Sequence, residues 1–150
     1  MLRKTGLVIA PILLVLIASS DLFAEKAPES KDEADHAVTA LVEAVYTRTR
    51  TLDAGTAFET RQIEYVIELD VQEVQRGEEA KVGKRFYVHC FKRDDSALKP
   101  GATPPPGASG HRKIPKEGQI IKAYTRYAHK MHNGLYPQWF DLVKDVEGKK

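Results

Sequence analysis

Cysteine is almost missing from this chain: Cys90 stands alone among 150 residues. Small exported domains commonly rely on disulfides where their core is too small. Cys90 has no partner with which to form an intramolecular bridge, so an ordinary core must hold the domain, which is feasible at this size. No cysteine follows the apolar N-terminal run, and that excludes a lipoprotein. An excess of either charge is missing too, with 23 Lys and Arg against 21 Asp and Glu. Such a balanced surface makes no electrostatic case for nucleic acid or for an acidic polymer. The chain has no phosphate loop, dinucleotide fingerprint or nucleophile-elbow glycine pattern. Asp94-Asp95 lacks the Asp-x-Asp-x-Asp-Gly spacing of a calcium loop and reads as solvated. No internal repeat is visible.

What is present begins with Met1-Leu2-Arg3-Lys4, an apolar run from Gly6 to Ala18, and Ser19-Ser20-Asp21-Leu22-Phe23-Ala24. A positive start, a short apolar stretch and small residues at a cut site are the grammar of a secretory signal. Residues 1–24 are therefore expected to be a signal peptide, with Ala24 or Ala18-Ser19-Ser20 at the cut. An uncleaved anchor is the competing reading. However, Pro11 interrupts a run that would need about 20 apolar residues to span. Either way Arg3 and Lys4 predict a domain outside the cytoplasm, secreted, periplasmic or in the cell envelope. Only an uncleaved N-terminal segment would then tie it to a membrane. Residues 25–33 are polar and aperiodic and read as a solvated linker. Residues 145–150 read as a charged tail.

The domain between them, residues 34–144, reads as mainly β. In Ala34–Thr47 helix and strand compete, and the β-branched Val38, Thr39, Val42 and Val45 favour a strand. Arg48–Thr60 reads as a loop. From Arg61 to Gln75 the residues Ile63, Tyr65, Ile67, Leu69 and Val71 alternate with polar neighbours, the mark of one buried and one wet face. Val71 and Val74 are out of phase, which predicts a bulge or a strand end near Glu73. In Arg85–Phe91 the side chains of Phe86, Val88 and Cys90 point one way and those of Tyr87, His89 and Phe91 the other, and large groups on both sides predict a strand that is central or covered on both faces. Lys92–Gly118 is too rich in proline and glycine for helix or inner strand. A fourth strand follows over Gln119–His129. Asn133-Gly134 then predicts a tight turn, and Leu135–Val143 a last short strand.

Val71-Gln72-Glu73-Val74-Gln75-Arg76-Gly77, Val82-Gly83-Lys84-Arg85-Phe86-Tyr87-Val88 and the run Pro115–Tyr124 share a cadence. In it the chain resembles the small five-stranded oligonucleotide/oligosaccharide-binding (OB) barrel in its netrin-module version, the one shared with tissue inhibitors of metalloproteinases and with exported bacterial proteins of the same build. The resemblance spans residues 34–143 and implies a small barrel with a binding face. The inhibitors chelate a protease zinc through an N-terminal cysteine. With no cysteine near residue 25, that activity does not carry over.

Five histidines, His36, His89, His111, His129 and His132, raise a metal hypothesis. Zinc needs three or four converging ligands, and none of their spacings is a recognised pair. His129 and His132 read as exposed turn residues, and His89 as packed in a sheet. A secreted metal-dependent enzyme would need three of His89, His111, His129, His132 and Cys90 to meet. Cys90 as a nucleophile would need a base, and His89 points away from it.

Tyr124, Tyr127, Tyr136, Trp139 and Phe140 read as the closing layer of the core, with a sugar or peptide platform as the alternative. The proline-rich loop ending in His111-Arg112-Lys113 is a candidate contact surface. The expectation is thus an exported, non-enzymatic binding domain with no catalytic residue, cofactor or metal. Its ligand contacts are expected at His111, Arg112, Lys113, Tyr124, Tyr136 and Trp139, and its partner in an envelope protein or polymer, not nucleic acid. A structural envelope subunit is the further alternative, and an exposed apolar edge strand would favour it.

Overall fold

A computed structural model describes residues 26–104 and 107–145. The signal or anchor expected over 1–24 and the tail beyond Asp145 lie outside the described residues. Among these residues the chain forms six strands and no α-helix. The strands are β1 His36–Leu52, β2 Thr60–Arg76, β3 Arg85–Asp94, β4 Ile120–Ala128, β5 Met131–Gly134 and β6 Phe140–Lys144. They belong to one sheet, ordered β1-β2-β3-β5-β4-β6, and β1 pairs with β4 as well, so the first five close into a ring. Every pairing is antiparallel except β3 with β5, which run parallel.

The segment Ala34–Thr47 is a strand, and β1 runs on to Leu52. The alternation Thr47-Arg48-Thr49-Arg50-Thr51 puts a β-branched residue at every second position, and it pairs with Arg61–Tyr65 of β2. The loop expected over Arg48–Thr60 therefore shrinks to the stretch from Asp53 to Glu59. The phase slip in β2 is absorbed by bulges. The register with β1 skips Gln72 and Gln75 on β2 and Glu43 on β1, so Val71 stays buried and Val74 still packs on the core.

The end of the chain departs most from expectation. The tight turn is not at Asn133-Gly134 but at His129-Lys130, where both residues have positive φ, 51° and 66°. Asn133 and Gly134 instead finish β5. The expected final strand Leu135–Val143 is strand only from Phe140. Gly134, Leu135 and Tyr136 are buried consecutively, which a strand with one wet face cannot do. Leu135 and Trp139 are fully buried and plug the ring. Gly134 makes room for that plug, because a Cβ there would sit 2.7 Å from Trp139 Cγ. The sheet therefore has six strands where five were expected.

The core is the inward face of the ring: Val38, Ala40 and Val42 of β1, Ile67, Leu69 and Val71 of β2, Phe86, Val88 and Cys90 of β3, and Ile121 and Ala123 of β4. Residues 26–33, read as a solvated linker, lie against this ring. The Glu29 N–H donates to Tyr136 O at 2.8 Å. Arg76 Nη1 donates to Asp32 O at 2.6 Å and to Ala34 O at 2.9 Å.

Candidate functional site

Among the described residues a cleft of about 730 Å³ lies over β2, β3 and β5. Its walls are Tyr46, Thr47 and Arg48 of β1, Gln62, Glu64, Tyr65 and Val66 of β2, His89, Cys90 and Phe91 of β3, and Met131, Asn133 and Gly134 of β5. Lys26, Ala108, His111 and Tyr136 complete it. The lining is predominantly apolar, and ligand pockets typically hold 300–1,000 Å³ with few polar groups. Two polar groups of one wall are engaged by residues outside the lining. The Tyr46 hydroxyl donates to Glu68 at 2.9 Å, and Arg50 lies 3.6 Å from Glu64.

The six expected contact residues do not meet. His111 and Tyr136 line this cleft. Lys113 lines a second, of about 390 Å³, with Gln119, Phe140 and Asp141. Tyr124 lines a third, of about 470 Å³, with Lys31 and Arg76. Trp139 is wholly buried, and Arg112 is exposed, its N–H donating to Pro137 O. His111 is a staple. It is 4% exposed, its Nδ1 accepts from the Phe91 N–H at 3.2 Å, and its Nε2 faces Gly134 O at 3.0 Å. One tautomer serves both bonds, with the proton on Nε2. Burial holds the imidazole below its ordinary pKa, against the pull of the Gly134 carbonyl at Nε2 and of the Phe91 carbonyl, 3.1 Å from Nδ1.

Cys90 is buried as expected, and burial pushes its thiol up to about 12, so no thiolate is available near neutral pH. Arg85, a possible partner for a polyanion, is held by Glu43 at 3.4 Å and Glu68 at 3.2 Å. Among the described residues no helix is long and apolar enough to cross a membrane. Comparison with family models, with curated proteins and with solved structures gives no match.

The set His89, His111, His129, His132 and Cys90 does not converge. A different set does: among the described residues, His36, Glu79 and His132 bring ligand atoms within 4.8 Å of one another. His132 is not an exposed turn residue. It sits in β5 with 16% of its side chain exposed, its ring 4.1 Å from Phe86 and 4.7 Å from His36 between centroids. Burial, helped by His36 and His89 and opposed by Glu79, lowers its pKa, so near neutral pH it is an uncharged base. Sequence reasoning weighed His132 but not His36 with Glu79. These two lie on segments that meet only because β1 pairs with β2 and with β4, and no local spacing signals that.

Proposed function

We propose that the chain is an exported, non-enzymatic binding domain, and that the cleft over β2, β3 and β5 takes an apolar anchor side chain from a protein partner of the cell envelope. The ring order β1-β2-β3-β5-β4, with its single parallel pair, supports reading the ring as an OB-like barrel. In that fold the strand 2–3 face and neighbouring loops bind ligand.

The observation that carries the reading is the cleft itself, large and mostly apolar on that face. An anchor side chain suits it better than a sugar or a base, which would need open aromatic faces to stack on. Of its aromatics, Tyr65 and Phe91 are half-buried, Tyr136 is buried, and the exposed Tyr46 is tied to Glu68. The near-neutral charge and the acid-paired Arg85 also weigh against nucleic acid.

A second reading, a structural subunit, is favoured by β6. Among the described residues this edge strand pairs only with β4, and Leu142 and Val143 are 52% and 58% exposed. One experiment separates the two. A photo-crosslinking amino acid is placed at Thr47, in the cleft, or at Val143, on the edge, in intact cells. The cleft reading expects a discrete adduct from Thr47 that disappears when Met131→Glu puts a charge in the wall. Adducts from Val143 with silence at Thr47 support the edge reading instead. Silence at both positions sinks the binding reading.

A further inference from the structure

We infer that His36, Glu79 and His132 form a binding site for one divalent transition-metal ion of the zinc type, which clips together the start of β1, the β2–β3 loop and β5. Glu79 Oε2 lies 3.4 Å from His132 Nε2 and 3.9 Å from His36 Nε2. Ligands of a tetrahedral zinc at 2.0–2.1 Å are about 3.3 Å apart. The 3.4 Å separation thus already fits, the 3.9 Å one needs a small inward shift of an exposed carboxylate on a loop, and all three ligand atoms lie within 4.8 Å of one another.

The surroundings are built for this pair of rings. His36 is 5% exposed, and Nδ1 of both His36 and His132 is buried without a hydrogen-bond partner. A cation bound through the two Nε2 lone pairs leaves the proton of each ring on Nδ1 and meets the charge of Glu79.

The loop carrying Glu79 is held in place. Ala80 is buried in the core. Gly83 N–H donates to Val71 O at 2.7 Å. Gly77, at φ +97°, lets the backbone lie on the imidazole, because any Cβ there would overlap His36 Cδ2. Two nitrogens and one carboxylate oxygen select a borderline cation and reject magnesium or calcium, which want oxygen alone. The site is distinct from the cleft and does not depend on the reading given to it.

The test is calorimetric titration of the untagged full chain with zinc, with magnesium as a parallel probe, and the visible spectrum of the cobalt form. The expected result is one zinc per chain, no magnesium binding and four-coordinate cobalt bands. Glu79→Gln, on an exposed loop that should fold normally, and His132→Asn should each weaken zinc by at least about tenfold. His129→Asn, in the nearby exposed turn, should leave affinity unchanged. Absence of zinc binding at millimolar concentration, undiminished affinity in Glu79→Gln, or loss of binding in His129→Asn each overturns the site.

Discussion

His111 shows how one residue can hold a long irregular segment. Among the described residues from Asp95 to Gln119 there is no strand, and a connection of that length is costly to order. His111 fastens it between β3 and β5 with two backbone bonds, Phe91 N–H to Nδ1 and Nε2 to Gly134 O. His111→Ala leaves that buried donor and acceptor unmet, and should lower stability at pH 7.5 by about 1–3 kcal/mol in urea unfolding.

The same side chain sets a pH dependence. Its folded pKa is below the ordinary 6.5, and Lys26 nearby lowers it further while Glu29 opposes. As pH falls below about 6.5 the unfolded chain takes up the proton first. Stability is therefore full above that pH and declines below it, until the folded imidazole also titrates. His132 adds to the decline in the same direction. The urea midpoint should fall between pH 7 and 5, and fall less steeply in His111→Gln. A midpoint independent of pH over this window contradicts the staple as described.

At the scale of elements, the strands were legible wherever side chains alternate. β2 was readable from Ile63 to Val71. In β3 the alternation was legible but not its covering: large groups on both sides suggested two covered faces, whereas Phe86, Val88 and Cys90 are buried and Tyr87 on the other side is 45% exposed. The bulges near Glu73 were legible as well, because a two-residue period cannot accommodate Val71 and Val74 without one. The β4–β5 turn was not. Asn-Gly is the strongest short hairpin signal, yet Gly134 is a glycine for packing, pressed under the Trp139 ring. His129 and Lys130 accept left-handed backbone with nothing in their side chains to announce it. The candidate cleft was harder still. It gathers residues from four strands, two loops and the segment before β1, and only His111 and Tyr136 of the six expected contacts line it.

The mismatch at the turn is itself testable. A left-handed residue with a Cβ costs about 1–2 kcal/mol relative to glycine. The double change His129→Asn with Lys130→Gly should raise the free energy of unfolding by about 1 kcal/mol and leave the strand register intact. An unchanged or lower urea midpoint shows that this turn is not a strained two-residue connection.

For the molecule as a whole, the question is where a closed ring opens. The β1–β2 ladder runs from Ala37↔Arg76 to Leu52↔Thr60, and β2–β3 from Arg61↔Asp94 to Asp70↔Arg85. The closure between β3 and β5 is made only by Val88↔His132 and His89↔Asn133, and it is parallel, the slightly weaker pairing per residue. Local opening follows the weakest cooperative unit, so the seam at β5 should open before any other. The zinc site is placed across that seam. His132 lies on β5, His36 on β1 behind it, and Glu79 on the loop that leads into β3.

A ligand that binds only the closed form stabilises it by mass action. Without metal, then, the amides of 131–134 should exchange with deuterium well ahead of those of Val38–Val42 and Ile67–Val71. Zinc should slow exchange in 131–134 and in 77–83 while leaving the β1–β2 ladder unchanged. Mass spectrometry of peptides after timed exchange reads both effects. Uniform protection around the ring without metal would remove the weak seam, and slowing spread equally over every strand would mean that zinc binds somewhere other than across it.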